Sequence, residues 1–220
     1  MTQLSIAENA PLDLNPDLAQ WFSPDWLADH VAELIPVERL MWHPYRVLEP
    51  AAGDGALIRA MLRVRSPLHR YGMTIDAVDV DGRFAWPLSA VAAEARKTRA
   101  EMRVEIGSYL ERPAPAERYD LAVTNPPFTR GMETPFLAKL LDECEQIVAI
   151  LPSRALHGLA RHNTIWRRFE PVGSADPEWS IRAINYCIRR PKFAGASGGK
   201  DEIVIVDLQR EPGRCHVRWI

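Results

Sequence analysis

Asn125-Pro126-Pro127-Phe128 is the stretch of this 220-residue chain whose residue types can act chemically at one point. Proline has no amide proton, fixes its own φ and pushes the residue before it towards extended geometry. Two in succession hold Asn125 extended in a stiff loop with its carbonyls turned outward. An amide side chain, the Pro126 carbonyl and the Phe128 ring then converge. Together they can accept both hydrogens of an exocyclic NH2 group while the ring stacks on the flat molecule that carries it. A proline-rich turn with Phe128 in the core is the alternative, and four residues alone do not separate the two.

The elements that must position this loop are legible on both sides of it. The run Tyr119 to Thr124 reads as a buried strand that delivers Asn125 at its C-terminal end. Far upstream, Ser23-Pro24-Asp25 has the chemistry of a helix start: an N-cap, a first-turn proline and an acid. Leu27, Val31, Leu34 and Ile35 continue it on one face, and Pro36 stops it. Tyr45 to Leu48 is a short strand, followed by Glu49-Pro50-Ala51-Ala52-Gly53-Asp54-Gly55 and a helix over Ala56 to Val64. Such a strand, glycine turn and helix open a doubly wound α/β fold, whose ligand lies at the strand's carboxyl end. Small residues at 51–53 and 55 let a ligand approach the backbone, although glycine also serves a tight turn for its own sake. Ile58 stands where a dinucleotide fingerprint needs its third glycine, and the Walker pattern is absent. Glu49 would repel a pyrophosphate but suits a cation or an amine. S-adenosylmethionine offers both.

Asp79, at the end of the strand Thr74 to Val78, is placed to accept both hydroxyls of a ribose, with Asp81 second; an acidic turn is the plain alternative. A crossover helix is expected over Leu88 to Met102, then a strand over Val104 to Ile106 and the turn Gly107-Ser108-Tyr109-Leu110. After the loop come a helix over Thr134 to Cys144, a strand over Gln146 to Leu151, and a basic helix over Leu156 to Phe169. Two strands, Trp179 to Arg189 and Glu202 to Leu208, flank a Gly/Ser-rich loop. The expected fold is α/β: a seven-stranded, mostly parallel sheet closed by an antiparallel C-terminal hairpin, with helices on both faces. Residues 1–20 are expected to be loosely ordered, and 21–220 to form one domain.

Composition narrows the setting. A hydrophobic fraction of 47% and a charged fraction of 25% are those of an ordinary globular protein. No apolar run approaches the ~20 residues of a membrane span, and Met1 to Leu14 lacks the pattern of a secretory signal. Three scattered cysteines (Cys144, Cys187, Cys215) suggest reduced thiols in a cytoplasm, and no metal-ligand spacing occurs. Net charge is −2, yet residues 153–200 hold nine Lys/Arg against three Asp/Glu. That basic stretch suits a polyanion, or is only a solvated face.

Taken together, these residues resemble a class I S-adenosylmethionine-dependent methyltransferase of the amino-methylating group, nearest to small bacterial or phage adenine-N6 DNA methyltransferases. The likeness runs from Phe22 to about Leu208. Phe22-Ser23-Pro24-Asp25-Trp26-Leu27 resembles the family's leading helix, which touches the cofactor's methionine moiety. Glu49, Pro50, Ala51, Gly53 and Gly55 match its cofactor loop, Asp79 with Val80 its ribose acid, and Asn125-Pro126-Pro127-Phe128 its catalytic motif. Ser108, followed by Tyr109, departs from the pattern: the family has Asp there, to hold the cofactor's adenine amino group. The resemblance implies a cytoplasmic, bacterial or phage-encoded enzyme that acts on nucleic acid, DNA ahead of RNA. Residues 153–200 would face the substrate, and the family's separate recognition domain is expected to be missing, since about a dozen residues follow the last expected strand. Short or loose sequence specificity follows, because arginine and lysine are suited mainly to phosphates.

The expected chemistry is positional. Asn125 and the Pro126 carbonyl would hold adenine N6 with its lone pair aimed at the methyl group, without a nucleophilic side chain. The target base must be flipped out or single-stranded. Phe128 would cover one face of it and Phe193 the other, while Arg167, Arg168 and Lys192 would hold phosphates. The same tetrapeptide suits enzymes that methylate RNA adenine or guanine amino groups, or a glutamine amide. A catalytically silent nucleic-acid-binding module also remains open at this point.

Overall fold

In chain order the strands are β1 (Tyr45–Glu49), β2 (Met73–Asp79), β3 (Ala100–Ile106), β4 (Leu121–Thr124), β5 (Gln146–Pro152), β6 (Ser180–Tyr186), β7 (Ile203–Gln209) and β8 (His216–Trp219). The helices are α1 (Asp25–Glu33), α2 (Ala56–Arg65), α3 (Ala85–Ala95), α4 (Glu133–Glu143) and α5 (Leu159–Thr164). This is a computed structural model, and it describes residues 22–36, 44–65, 72–173, 175–188, 190–193, 202–211 and 215–220. The expected loose order of residues 1–20 and the glycines of the 190–200 loop lie outside those residues.

One sheet takes the order β3-β2-β1-β4-β5-β7-β6-β8. β1 pairs in parallel with β2 and β4, β2 with β3, and β4 with β5. β7 runs antiparallel to both β5 and β6. Successive side chains of a strand point to opposite faces, so the sheet divides its apolar residues between two layers. Val47, Ile75, Val123 and Val148 pack with Leu27, Ile58 and Leu88 of α1, α2 and α3 on one face. Leu48, Val78, Ala122 and Ile147 pack with Leu137 and Leu140 of α4, Ile165 and Trp179 on the other. Strand order reverses between β1 and β4, and a ligand crevice is expected at the carboxyl ends of such a pair. β4 is only four residues long and wholly buried, so the chain leaves the sheet at Asn125, inside that crevice.

Three expectations are corrected. The sheet has eight strands, not seven, because β8 adds to β6 in parallel. All four β8 residues are exposed, so it carries no alternating pattern to read; the Trp219 ring stacks on Tyr186 at 5.9 Å. The helix read over Leu88 to Met102 is α3, which ends at Ala95, and residues 100–106 are strand β3. At this sheet edge Glu101, Glu105 and Ile106 face solvent, which gave the segment a helix-like composition. Finally, the basic helix read over Leu156 to Phe169 is broken. A 3-10 turn at Ser153–Leu156, α5, and a 3-10 turn at Trp166–Phe169 are separated by Gly158 at φ 100° and Ile165 at φ −121°, ψ −65°. Among the described residues no helix is long and apolar enough to cross a membrane, and no group of His, Cys, Asp and Glu could hold a metal ion.

Candidate active site

The turn between β1 and α2 owes its shape to its glycines. Gly53 and Gly55 lie at φ +53° and +85°, where an L side chain is disfavoured. A Cβ on Gly55 would also meet Val91 Cγ2 of α3 at 2.9 Å. The turn is tied to the end of β2: Ala52 N donates to Val78 O (2.9 Å) and Gly53 N to Asp79 Oδ2 (2.7 Å). Asp79 Oδ1 accepts from Asp81 N at 2.8 Å. Burial raises the Asp79 carboxyl above its ordinary range, while those two amides pull it down. Gly107 N, beyond β3, donates to Asp79 O at 2.8 Å and sets Ser108 beside the same strand end.

On the other side of the crevice, Asn125 Nδ2 donates to Ser23 Oγ at 3.1 Å. Ser23 directly precedes Pro24, whose carbonyl accepts from Leu27 N and Ala28 N in the first turn of α1. The start of α1 therefore fixes the amide of Asn125 at one end. Tyr109 is held from behind, its hydroxyl donating to Glu143 Oε2 (2.9 Å); burial and that carboxylate push the phenol far above its usual range. Lys139 Nζ lies 3.1 Å from Glu143 Oε1 and 5.4 Å from the centre of the Tyr109 ring.

These residues enclose a cavity of about 370 Å³, within the size range of small-molecule sites. Of the residues expected from the sequence, Pro50, Ala51, Gly53, Asp79, Val80, Ser108, Tyr109, Asn125 and Pro127 line it. Phe22, Phe84, Leu110, Thr129, Arg130, Met132 and Phe136 line it as well and were not singled out as binding residues. Phe22 packs edge-on against Phe84 (5.7 Å, 84°), and its ring lies 3.6 Å from where a Gly53 Cβ would stand. An aromatic residue directly before the Ser-Pro helix start was the available signal. Four aromatic rings (Phe22, Phe84, Tyr109 and Phe136), half-buried backbone at Gly53 and an acid at Asp79 fit an adenosine with its ribose.

Other expected residues lie off the cavity wall. Ser23, Pro24, Gly55 and Pro126 are not among its lining residues. Phe128 is 3% exposed and Phe193 8%, both packed in the core layer with Ile203 and Ile205, so neither ring is presented to a base in this conformation. Lys192 and Arg167 are exposed. Arg168 is engaged within the protein, at 2.8 Å from both Asp142 and Glu178. Asp142 is six residues along α4 from the cavity-lining Phe136, about 9 Å at 1.5 Å per residue. Arg168 thus ties the end of α4 to Glu178 in this conformation, and the phosphate contact expected of it stays an expectation.

Glu49 is also off the wall, 1% exposed beneath Pro50 and Ala51. Its Oε1 accepts from Ala51 N at 3.2 Å, whereas Oε2 and the adjacent Thr124 hydroxyl lie together without good hydrogen-bond geometry. Burial pushes the carboxyl up to about 8 from 4.5, with Asp79 adding to the rise and Ala51 N and Thr124 opposing it. Between those values the folded chain holds a proton that the unfolded chain has lost. Stability from this group is therefore full below about pH 4.5 and falls by about 1.4 kcal/mol per unit until about pH 8. Glu49→Gln should flatten the decline, which urea titrations at about pH 5.5 and 8 will measure. Parallel declines in the two proteins would mean that Glu49 is ionised throughout.

No protein-family model matches the chain, and no curated protein matches it in sequence. Solved structures do. A Listeria monocytogenes protein assigned to the class I S-adenosylmethionine-dependent methyltransferases superposes with a TM-score of 0.67 at 14% identity, over 92% of this chain and 67% of that one. A Pyrococcus horikoshii protein assigned as an RNA methyltransferase gives 0.66 at 17% identity, over 91% of each chain. The methyltransferase subunit of a type I restriction-modification system from Streptococcus thermophilus gives 0.67 at 11% identity, over 91% of this chain and 47% of that one. This chain spans about half the length of that subunit. At such identities the likeness carries the architecture: the chain has the fold of class I S-adenosylmethionine-dependent methyltransferases.

Proposed function

We propose that the protein transfers a methyl group from S-adenosylmethionine to an exocyclic amino nitrogen of a nucleic-acid base, with adenine N6 of DNA as the favoured target. The observation that carries this reading is that Asn125 and Pro127 share one cavity wall with Gly53, Asp79 and Ser108. The bound cofactor would supply an electrophilic methyl on its sulfonium. Asp79 would accept from the ribose hydroxyls, Gly53 would let the nucleoside approach the backbone, and Ser108 would accept from the adenine edge. Asn125, its Nδ2 held by Ser23, would turn Oδ1 to the target amine. Hydrogen bonds from that amine to Oδ1 and the Pro126 carbonyl would favour a tetrahedral nitrogen and free its lone pair from the ring. No side chain has to take a proton in the bond-forming step, since the methylated ammonium is itself acidic.

Labelled cofactor incubated with DNA, RNA and protein pools, followed by nucleoside mass spectrometry, tests the assignment. N6-methyladenine in DNA is the expected product. A second reading is favoured by one observation: the neighbour that matches over 91% of both chains is assigned as an RNA methyltransferase. Methylated adenine or guanine in RNA alone would replace the first reading by that one, and label in protein would reject both. Asp79→Ala should weaken cofactor binding by about 1–3 kcal/mol, the worth of hydrogen bonds to a charged acceptor. Calorimetry on the purified variant checks it, and an unchanged affinity would remove Asp79 from the ribose site.

A further inference from the structure

Beyond Phe128 the chain makes a single 3-10 turn, Thr129–Gly131, with Arg130 at φ 55°, ψ 23°. Arg130 is the one non-glycine residue at positive φ among the described residues, and Gly131 follows it at φ +76°. The left-handed region crowds the Cβ of any L residue, whereas glycine occupies it freely. An arginine here works against the turn that holds it. Strained backbone of this kind collects where a side chain serves a ligand.

The side chain has the freedom to do so. Arg130 is exposed and lines the cavity together with Asn125 and Thr129. The neighbouring arginines are turned inward to brace the loop: Arg154 Nη2 donates to Phe128 O at 3.1 Å, and Arg161 Nη2 to Glu133 Oε1 at 3.2 Å. No such contact holds the Arg130 guanidinium among the described residues. A planar, permanently charged fork at the solvent side of a cavity matches a phosphate. A base entering this cavity would bring its sugar-phosphate backbone to the cavity's solvent side, where exposed Arg130 could meet it.

We propose that Arg130 binds a phosphate flanking the target nucleotide, so that the site requires a base within a polynucleotide and disfavours a free base or an amide side chain. This rests on the amino-methyltransferase reading above. The test uses the full chain with S-adenosylhomocysteine present, and a short single-stranded oligodeoxynucleotide containing one adenine. Anisotropy is measured with all phosphodiesters, and then with one neutral methylphosphonate on either side of that adenine. Arg130→Ala should weaken binding of the natural oligonucleotide about tenfold, as for one charge-assisted contact. One of the methylphosphonates should weaken the wild type by the same factor and remove the effect of the mutation. Arg130→Gly should bind as poorly as Arg130→Ala while melting at or above the wild-type temperature. Cofactor affinity by calorimetry should stay unchanged in both variants.

Equal losses on natural and both neutralised oligonucleotides would overturn the proposal, as would a loss of cofactor affinity in place of oligonucleotide affinity. No detectable oligonucleotide binding by the wild type would overturn it too. An oligonucleotide held in this Arg130-dependent way but never methylated would instead sink the amino-methyltransferase reading and leave the phosphate contact standing.

Discussion

Asn125→Ala is expected to reduce methyl transfer on the order of a hundredfold or more while leaving the fold and cofactor affinity nearly intact. Loss of one preorganised polar group at a reacting centre has an effect of that size. The side chain is held in place before any substrate arrives, by the Nδ2 bond to Ser23 across 102 positions of sequence. On the proposed mechanism it would contribute without reorganising during the reaction. Its neighbours do not depend on it: Thr124, the last residue of β4, is wholly buried, and Pro126 and Pro127 keep the loop stiff by themselves. Single-turnover transfer of labelled methyl to the identified substrate gives the rate, and calorimetry gives the cofactor affinity. A rate within about threefold of wild type would remove Asn125 from the mechanism.

The second large effect concerns stability. Glu133, at the start of α4, is fully buried, and the one side-chain cation beside it is Arg161 of α5, among the described residues. The pair is only partly satisfied, because Glu133 Oε2 and Arg161 Nε are both buried without a hydrogen-bond partner. A buried pair of this kind adds little net stability, yet breaking it is costly, since the remaining charge stays desolvated. Arg161→Ala strands the carboxylate and should cost about 3–5 kcal/mol. Glu133→Ala should cost less, because Arg161 is a quarter exposed and its head group can turn to water. Replacing both by apolar residues of similar volume, Glu133→Leu with Arg161→Met, should recover most of the loss. Urea denaturation of the four proteins measures all three terms. An Arg161→Ala variant within about 0.5 kcal/mol of wild type would show that the loop needs no such brace.

The parts of the fold that could be read from residues were those with strong local signals. The Ser-Pro-Asp start of α1, the glycine turn after β1 and the apolar run of β4 each contain their own explanation within a few positions. Failures came where the partner is distant. Nothing near Arg168 in sequence indicates that Asp142 and Glu178 will hold it, so its charge looked available for phosphate. Phe193 precedes a glycine-rich stretch and looked exposed, but folding sets it against Ile203 and Ile205. β8 has no buried face and so no pattern. The cavity combined both cases: Asp79 and Gly53 followed from their place after strands, and Phe22 stood before a readable helix start, whereas Arg130 became visible only once the Thr129–Gly131 turn was placed in space.

The consecutive prolines at 126 and 127 have one more effect, on the sign of the hydrogen bonds the loop can make. Each removes an amide proton from the chain, and one of the two protons of the Asn125 amide is already given to Ser23. On the proposed reading, Asn125 and Pro126 would offer a ligand a pair of lone-pair oxygens. Adenine and hypoxanthine have nearly the same outline, but hypoxanthine carries an oxygen where adenine carries NH2. Set against Asn125 and Pro126, that oxygen would meet oxygens, and buried acceptors would go unpaired on both sides. A site of this polarity would pass over a base that had lost its amino group by deamination, and no further residue would be needed to check for the damage.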